Sequence, residues 1–476
     1  MYRFTALVLV GFLLLWAAVW QGWALRSDRQ YLPRSPKPSD IAVPPGYKVE
    51  LVASGLNAPS ALEITKDGTL YIGESGYGGA YAATAGVEGQ THGRILRLEK
   101  NGTWTVVAGN FNPPLAGFVH DAEGNLYVSH AGVVSAITAR GRRDLITGLP
   151  SLGDHKNNNI ALGPDGKIYL AEGTATNAGI VGLDNWALWG RYYPAPHDIS
   201  CKDVVLRGIN VKTADPRSVI PFMRVETGAY SPFGHATTAG QLVRGQLPCN
   251  GAIMRFGTDG SGLELVAWGL RNPFEVRFGP DGQLYATDDG PDTRGSRAVE
   301  APDLFHRIQP GSWYGWPDYW NGQPVSQYSA AGRERVTPLL VKAPATPSRA
   351  LVTLGMHVGA NGFDFAPTGF GFDGQVFIAQ WGSGFPATAQ TPALNGFNIL
   401  RLNLATGRTE VFATNKKPGP ASLYKGTGGF ERPVTVRFGP DGAMYVLDWG
   451  HMAVTRKGPY HIPDGGVLWK ISRVGQ

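Results

Sequence analysis

One short unit recurs six times in this sequence. An apolar–x–apolar run leads to an acidic residue and a glycine, and an apolar–aromatic–apolar run follows. The copies are ALEITKDGTLYI at 61–72, FVHDAEGNLYV at 118–128 and IALGPDGKIYL at 160–170, then VRFGPDGQLYATDDG from Val276, FDFAPTGFGFDGQVFIAQWG from Phe363 and VRFGPDGAMYVLDWG from Val436. Alternation on both sides of an acid–Gly step predicts a β-hairpin, because the turn needs residues that tolerate positive φ or fix φ. The acid–Gly steps fall at 67, 123, 165, 281, 373 and 441, so the spacing runs from 42 (123 to 165) to 116 (165 to 281). A repeat of about 70 residues suits one four-stranded blade with generous loops. The expected fold is all-β, a six-bladed β-propeller over residues 46–474, with the hairpins mid-blade. The last strand, 466–472, is expected to pair with 47–53 and close the ring. The long gap after the third hairpin, Trp186 to Cys249, reads as inserted loops. Two sandwiches are the alternative architecture, and they would need a mid-chain linker that the composition does not supply.

Composition agrees with short strands and many turns: 65 Gly, 35 Pro and only 17% charged residues among 476. The net charge of +6 is scattered, with no basic run that would form a nucleic-acid groove. Residues 4–25 carry no charge, with Arg3 before them and Arg26 and Arg29 after. That length can span a bilayer, and Gly22-x-Ala24 also fits a cleavage site, so 1–25 reads as signal peptide or membrane anchor. Residues 26–45, rich in Pro, Ser and charge, read as a tether. The body is therefore expected to be exported, periplasmic or anchored facing outward. In that setting Cys201 and Cys249 predict a disulfide, closing a loop that stabilises by on the order of 3–4 kcal/mol. There is no CxxCH for covalent haem, and two cysteines are too few for the usual zinc cages.

Four stretches could carry chemistry. Asp154-His155 offers an imidazole base beside a carboxylate, or else a turn Asp and a surface His. Arg271-Asn272 offers a donor fork and an amide for a carboxylate-bearing or quinone-like planar ligand, or else an arginine that braces a blade. Asp288-Asp289-Gly290-Pro291 combines acids with free carbonyls suited to a hard cation, or else makes an Asx turn. Gly311 to Pro317, GSWYGWP, offers a flat aromatic surface of the kind sugars favour, or else loop packing.

In their order and spacing these motifs resemble the glucose/sorbosone dehydrogenase family, with its soluble quinoprotein glucose dehydrogenases. GLP-x(3)-DH before a GPDGKIY hairpin, then GLRNP, an acid-rich turn ending in GP, and YGWP carry the resemblance, which spans Gly46 to Arg473. It implies a PQQ-dependent, calcium-requiring oxidation of an aldose to its lactone. His155 would take the anomeric hydroxyl proton while hydride passes to the quinone, and Asp154 would orient that base. Arg271 and Asn272 would polarise the quinone oxygens, and Asp289 would contact the cofactor. Gly290 and Pro291 carbonyls would bind the calcium, and Arg432 would hold PQQ carboxylates. The sequence departs from the family in two places. Ala379-Gln380-Trp381-Gly382-Ser383 lacks the expected lysine, and Phe430-Glu431 replaces a second arginine before Arg432. A sugar substrate is expected, with a cytochrome or membrane quinone as electron acceptor. A cofactor-free binding propeller and a calcium-dependent lactonase-type hydrolase are the alternatives.

Overall fold

The computed structural model describes residues 34–76, 92–190, 193, 195–384, 393–455 and 458–475. Residues 1–33, which hold the uncharged stretch, lie outside them. No helix among the described residues is long and apolar enough to cross a membrane.

Six antiparallel sheets form the body, five of four strands and one of five, in which Ile41–Ala42, from the stretch read as a tether, pairs with Asn415 and Thr414 on the outer edge of blade 5. Their first two strands are the six hairpins read from the sequence: Pro59–Ile64 with Leu70–Glu74, Leu115–His120 with Leu126–His130, Asn157–Leu162 with Lys167–Glu172, Pro273–Phe278 with Leu284–Asp288, Ala360–Phe365 with Val376–Gln380, and Pro433–Phe438 with Met444–Asp448. The first strands of successive blades touch one another all the way round, from blade 1 to blade 6 and back. The molecule is thus a six-bladed propeller. The hairpins are not mid-blade as expected: each supplies the innermost strand and its neighbour, because the most apolar pair faces the ring's interior. Tyr47–Leu56 pairs with Gly466–Arg473 and completes blade 6 from the opposite end of the chain.

Local chemistry explains the repeat. Glycines 68, 124, 166, 282, 374 and 442 all have φ between +72° and +85°, which a side chain would resist. In three blades the preceding acid accepts a tyrosine hydroxyl from the second strand, Tyr169 to Asp165 at 2.9 Å, Tyr285 to Asp281 at 2.8 Å and Tyr445 to Asp441 at 2.9 Å, and in blade 2 Tyr127 reaches Asp121, two residues before Glu123, at 3.0 Å. The aromatic of the repeat is therefore a turn staple. At the other end of every hairpin the register slips by a β-bulge within the first few residues of the inner strand. Bulges bend a strand and re-aim its side chains, and here they lie on the face opposite the turns.

Between the second and third strands of blade 3 lies the insertion, from Glu172 to Ala252. It carries a short helical stretch (Leu183–Asn185, then Trp186–Gly190) and a ribbon of Asn210–Ala214 with Arg224–Gly228. Cys201 and Cys249 are joined, as the sequence predicted. Because it leaves from the end of a second strand, the insertion rises from the bulged face.

Candidate functional site

Each blade's lead-in loop arrives on the bulged face, and the first residue of the inner strand pairs with the last residue of the second: Asn157 with Glu172, Pro273 with Asp288 and Pro433 with Asp448. The two residues before each pair are thus equivalent positions. They are His155-Lys156 in blade 3, Arg271-Asn272 in blade 4 and Glu431-Arg432 in blade 6. In blade 4, Asp288 accepts the Arg271 and Asn272 amides at 3.2 and 2.7 Å. Asp448 accepts those of Glu431 and Arg432 at 2.8 and 2.9 Å. The acid that ends the repeat is a backbone anchor, and for Asp288 that is the structural one of the two readings.

His155, Arg271, Asn272 and Asp289 converge between blades 3 and 4. The His155 side chain packs against Gly173, where a Cβ would lie 2.3 Å from it and 2.9 Å from Asn272 Oδ1. That glycine is required by the close approach. Asn272 Oδ1 accepts Asn158 Nδ2 at 2.8 Å, and Asn272 Nδ2 donates to Asp289 Oδ2 at 2.8 Å. His155 Nε2 and Asp289 Oδ1 are both buried and both lack a hydrogen-bond partner. Burial holds the His155 pKa well below its ordinary value, helped by Arg271, Arg294 and Lys156, so the ring is neutral. Burial and then the neighbouring Asp303 charge push Asp289 well above the usual carboxylate range.

Arg271 is 1% exposed and heavily committed. Its guanidinium donates to Asn177 O and Oδ1 at 3.1 and 2.9 Å, to Asp289 O at 3.0 Å and to Asp292 Oδ2 at 3.2 Å. The bracing reading therefore holds for most of its donors. Gly290 N–H donates to Asp303 Oδ1 at 2.8 Å, and Pro291 follows it in the buried loop leaving blade 4. Among the described residues no group of three or more His, Cys, Asp or Glu could hold a metal ion, so a cation here would depend on Asp289 and backbone carbonyls. Arg432 lies two blades away. It stacks over Trp381 at 3.9 Å and Phe397 at 5.2 Å and donates to the carbonyls of Trp381, Gly382 and Ser383. Burial lowers its pKa to about 10. Glu431 turns away, bound to Ser422 N and Oγ at 2.6 and 2.9 Å.

Asp154 does not reach its neighbour His155 through a hydrogen bond. Its carboxylate accepts the Trp189 indole N–H at 2.7 Å and contacts Arg294. Arg294 also pairs with Asp184 at 2.8 Å and Asp292 at 3.3 Å, so one guanidinium ties the blade 3 lead-in, the insertion and the loop leaving blade 4. Burial disfavours that charge, but Asp154, Asp292 and Asp184 more than offset it, and the pKa is raised.

Two residues escaped the sequence reading. Arg294 gave no signal, because its partners are distant in the chain. Lys156 had one: superposing the residues before the repeats places it over Asn272 and Arg432. It is 6% exposed, with Nζ 4.5 and 4.4 Å from the ring centres of Trp189 and Tyr193 and 3.1 Å from Gly153 O. Burial lowers its pKa to about 7. The GSWYGWP loop is no sugar platform. Trp313, Tyr314 and Trp316 are only 1%, 3% and 6% exposed, since Trp313 packs on Trp268, Tyr314 on His306 and Trp316 on Tyr230.

No protein-family model matches the chain. Over 249 residues it is 23% identical to quinoprotein glucose dehydrogenase B of Acinetobacter calcoaceticus, a match covering 50% of this chain and 43% of that protein. The chain thus spans less than half the length of that relative. In fold, 94% of it superposes on 99% of the holo pyranose dehydrogenase PQQ domain of Coprinopsis cinerea, with TM-score 0.55 and 14% identity. The calcium structure of a Trichoderma reesei carbohydrate-active enzyme of family AA12 superposes over 94% of this chain and all of that one, with TM-score 0.54 and 15% identity. The propeller read from six hairpins is therefore the fold of these proteins, and the sequence resemblance to soluble quinoprotein sugar dehydrogenases has a counterpart in a curated relative.

Proposed function

We propose that this chain is an exported PQQ-dependent dehydrogenase that oxidises an aldose or related sugar, with His155 as the base. One observation carries the reading: His155 Nε2 is buried, neutral and unpartnered beside Asn272, on the face where the lead-in loops meet. A buried imidazole nitrogen without a partner costs stability unless something else uses it. Asp289 Oδ1, unpartnered across Asn272, supports the same place for a bound group.

The residues fit such a group on the blade 3–4 side. Asn272 and Asp289 would hold it and Gly290 and Pro291 would offer carbonyls to a calcium ion, while Arg432 would meet carboxylates from across the ring. When bound, PQQ supplies the hydride acceptor. His155 would accept the proton of the substrate hydroxyl at Nε2. Arg271, Arg294 and Lys156 oppose its protonation in the free protein, and an anionic ligand among them would relieve that opposition. Asp154 would act on His155 only indirectly, by fixing Trp189 and Arg294 over the loop. The sugar's lactone or acid would be the product, with electrons leaving to a cytochrome or quinone.

Reconstitution tests this. The full chain with added PQQ and calcium is expected to reduce a dye with at least one aldose, and to need both additions. His155→Gln is expected to lower kcat at least ~10²-fold while PQQ still binds, the scale of a lost general base. No PQQ binding at micromolar levels would remove the proposal. Activity with calcium alone would favour the hydrolase.

A further inference from the structure

The ribbon in the blade 3 insertion ends in a tip of unusual character. Between its strands runs Asp215 to Met223, DPRSVIPFM. Val219 is 98% exposed and Phe222 97%, with Ile220 at 57% and Met223 at 41%. Single exposed apolar residues are ordinary, but four within five positions at one projecting tip form a patch that asks for a partner. Arg217 and Arg224 bracket it and Lys212 lies on the strand below; Arg217 pairs with Asp215 at 2.8 Å and Lys212 with Glu226 at 3.9 Å, so these three cations and two carboxylates leave one net positive charge. Four exposed apolar side chains with a small net positive charge at their base suit the boundary between acyl chains and anionic headgroups.

The path of the chain says which surface lies nearby. The described body begins at Arg34, whose guanidinium donates to Gly429 O, Gly465 O and Asp448. Asp448 ends the second strand of blade 6, so the chain joins the body on the bulged face, and the insertion rises from that same face after Glu172. Eight residues, 26–33, separate the uncharged stretch 4–25 from Arg34. Fully extended they reach at most ~29 Å.

We propose that the 215–223 tip lies in the surface of an anionic lipid bilayer, turning the candidate-site face toward the membrane. This rests on reading 4–25 as a membrane anchor. The two native cysteines are joined to each other, so a new one can be labelled selectively. The full chain carrying Phe222→Cys, labelled with an environment-sensitive nitrobenzoxadiazole dye, is mixed with vesicles of 70% phosphatidylcholine and 30% phosphatidylglycerol. The expected result is flotation with the vesicles, a blue shift and at least ~2-fold brighter emission, as for a group moved from water to the interface. A label at Lys66→Cys, on the turn face, is expected to stay unchanged. Flotation without a shift at 222 overturns the lipid-contacting tip and leaves the anchor standing, whereas failure to float removes both. Equal shifts at both labels mean general adhesion. A shift without vesicles that grows with protein concentration means a second copy covers the tip. Either of these last outcomes also overturns the proposal.

Discussion

The lead-in loops of blades 4 and 6 share one backbone and differ in what it presents. Leu270-Arg271-Asn272-Pro273 and Phe430-Glu431-Arg432-Pro433 each have an inner-strand proline paired with an aspartate that accepts two consecutive amides. In blade 4 the first of these positions is a cation buried among carbonyls and Asp292. In blade 6 it is Glu431, drawn aside by Ser422, and the cation has moved one place on, over Trp381. Blade 3 fits the same frame with His155 and Lys156. The frame belongs to the fold, because it satisfies backbone groups that would otherwise be buried unpaired. What the frame carries therefore differs from blade to blade on one backbone, and there the candidate site is built.

The largest effect should come from Arg271. The sequence offers it either as a donor fork for a ligand or as a brace, and its four protein contacts predict a stability defect. Arg271→Ala removes four buried hydrogen bonds, strips the Asn177 and Asp289 carbonyls of a donor and leaves Asp292 with Arg294 alone, and should cost about 3–5 kcal/mol in denaturant unfolding. A variant of unchanged stability would mean that the blade 4 loop does not depend on its cation. Asp288→Asn tests the frame itself. It keeps the shape but weakens two charge-assisted amide contacts, at about 1–3 kcal/mol.

Lys156 sharpens the comparison through pH. Its folded pKa of about 7 lies below its ordinary 10.5. Between those values the unfolded chain binds more protons, so this residue's contribution to stability is full above 10.5 and is lost as pH falls to about 7. Lys156→Met should therefore raise the thermal midpoint more at pH 7.5 than at pH 10. An equal change at both would show that burial does not lower the pKa of this amine in the folded protein. The smallest effect is expected from Glu431→Gln. With its carboxylate bound to Ser422, the change should improve PQQ affinity by no more than ~3-fold, about 0.6 kcal/mol. A tenfold gain in titration would place that charge at the cofactor.

The turn face was legible because its rules are local. Each glycine with positive φ, each acid and each stapling tyrosine lies within a few residues of its partners, and the six copies reinforce one another. Ring closure was legible too, since the last strand had one edge left to fill. The candidate site was read only in part. His155, Asn272 and Asp289 do meet, but the hydrogen bonds of Asp154 run to Trp189 and Arg294, residues 35 and 140 positions away. No spacing in the sequence encodes such a pairing. The aromatic loop at 311–317 failed as a ligand surface for a similar reason, because whether a tryptophan faces solvent or a neighbouring blade is decided by the blade.

Blade 6 also sets the order of assembly. Its outermost strand, 47–56, emerges among the first residues of the body, yet its partner, 466–473, is the last to be made. Until then the earliest strand keeps a full edge of unpaired amides, and the closing contact must overcome the entropy of a loop of more than 400 residues. The ring cannot be finished on a partial chain. A nascent or truncated form would have five blades and an open seam, and loss of even the last eight residues should yield an aggregating chain rather than a slightly weakened propeller.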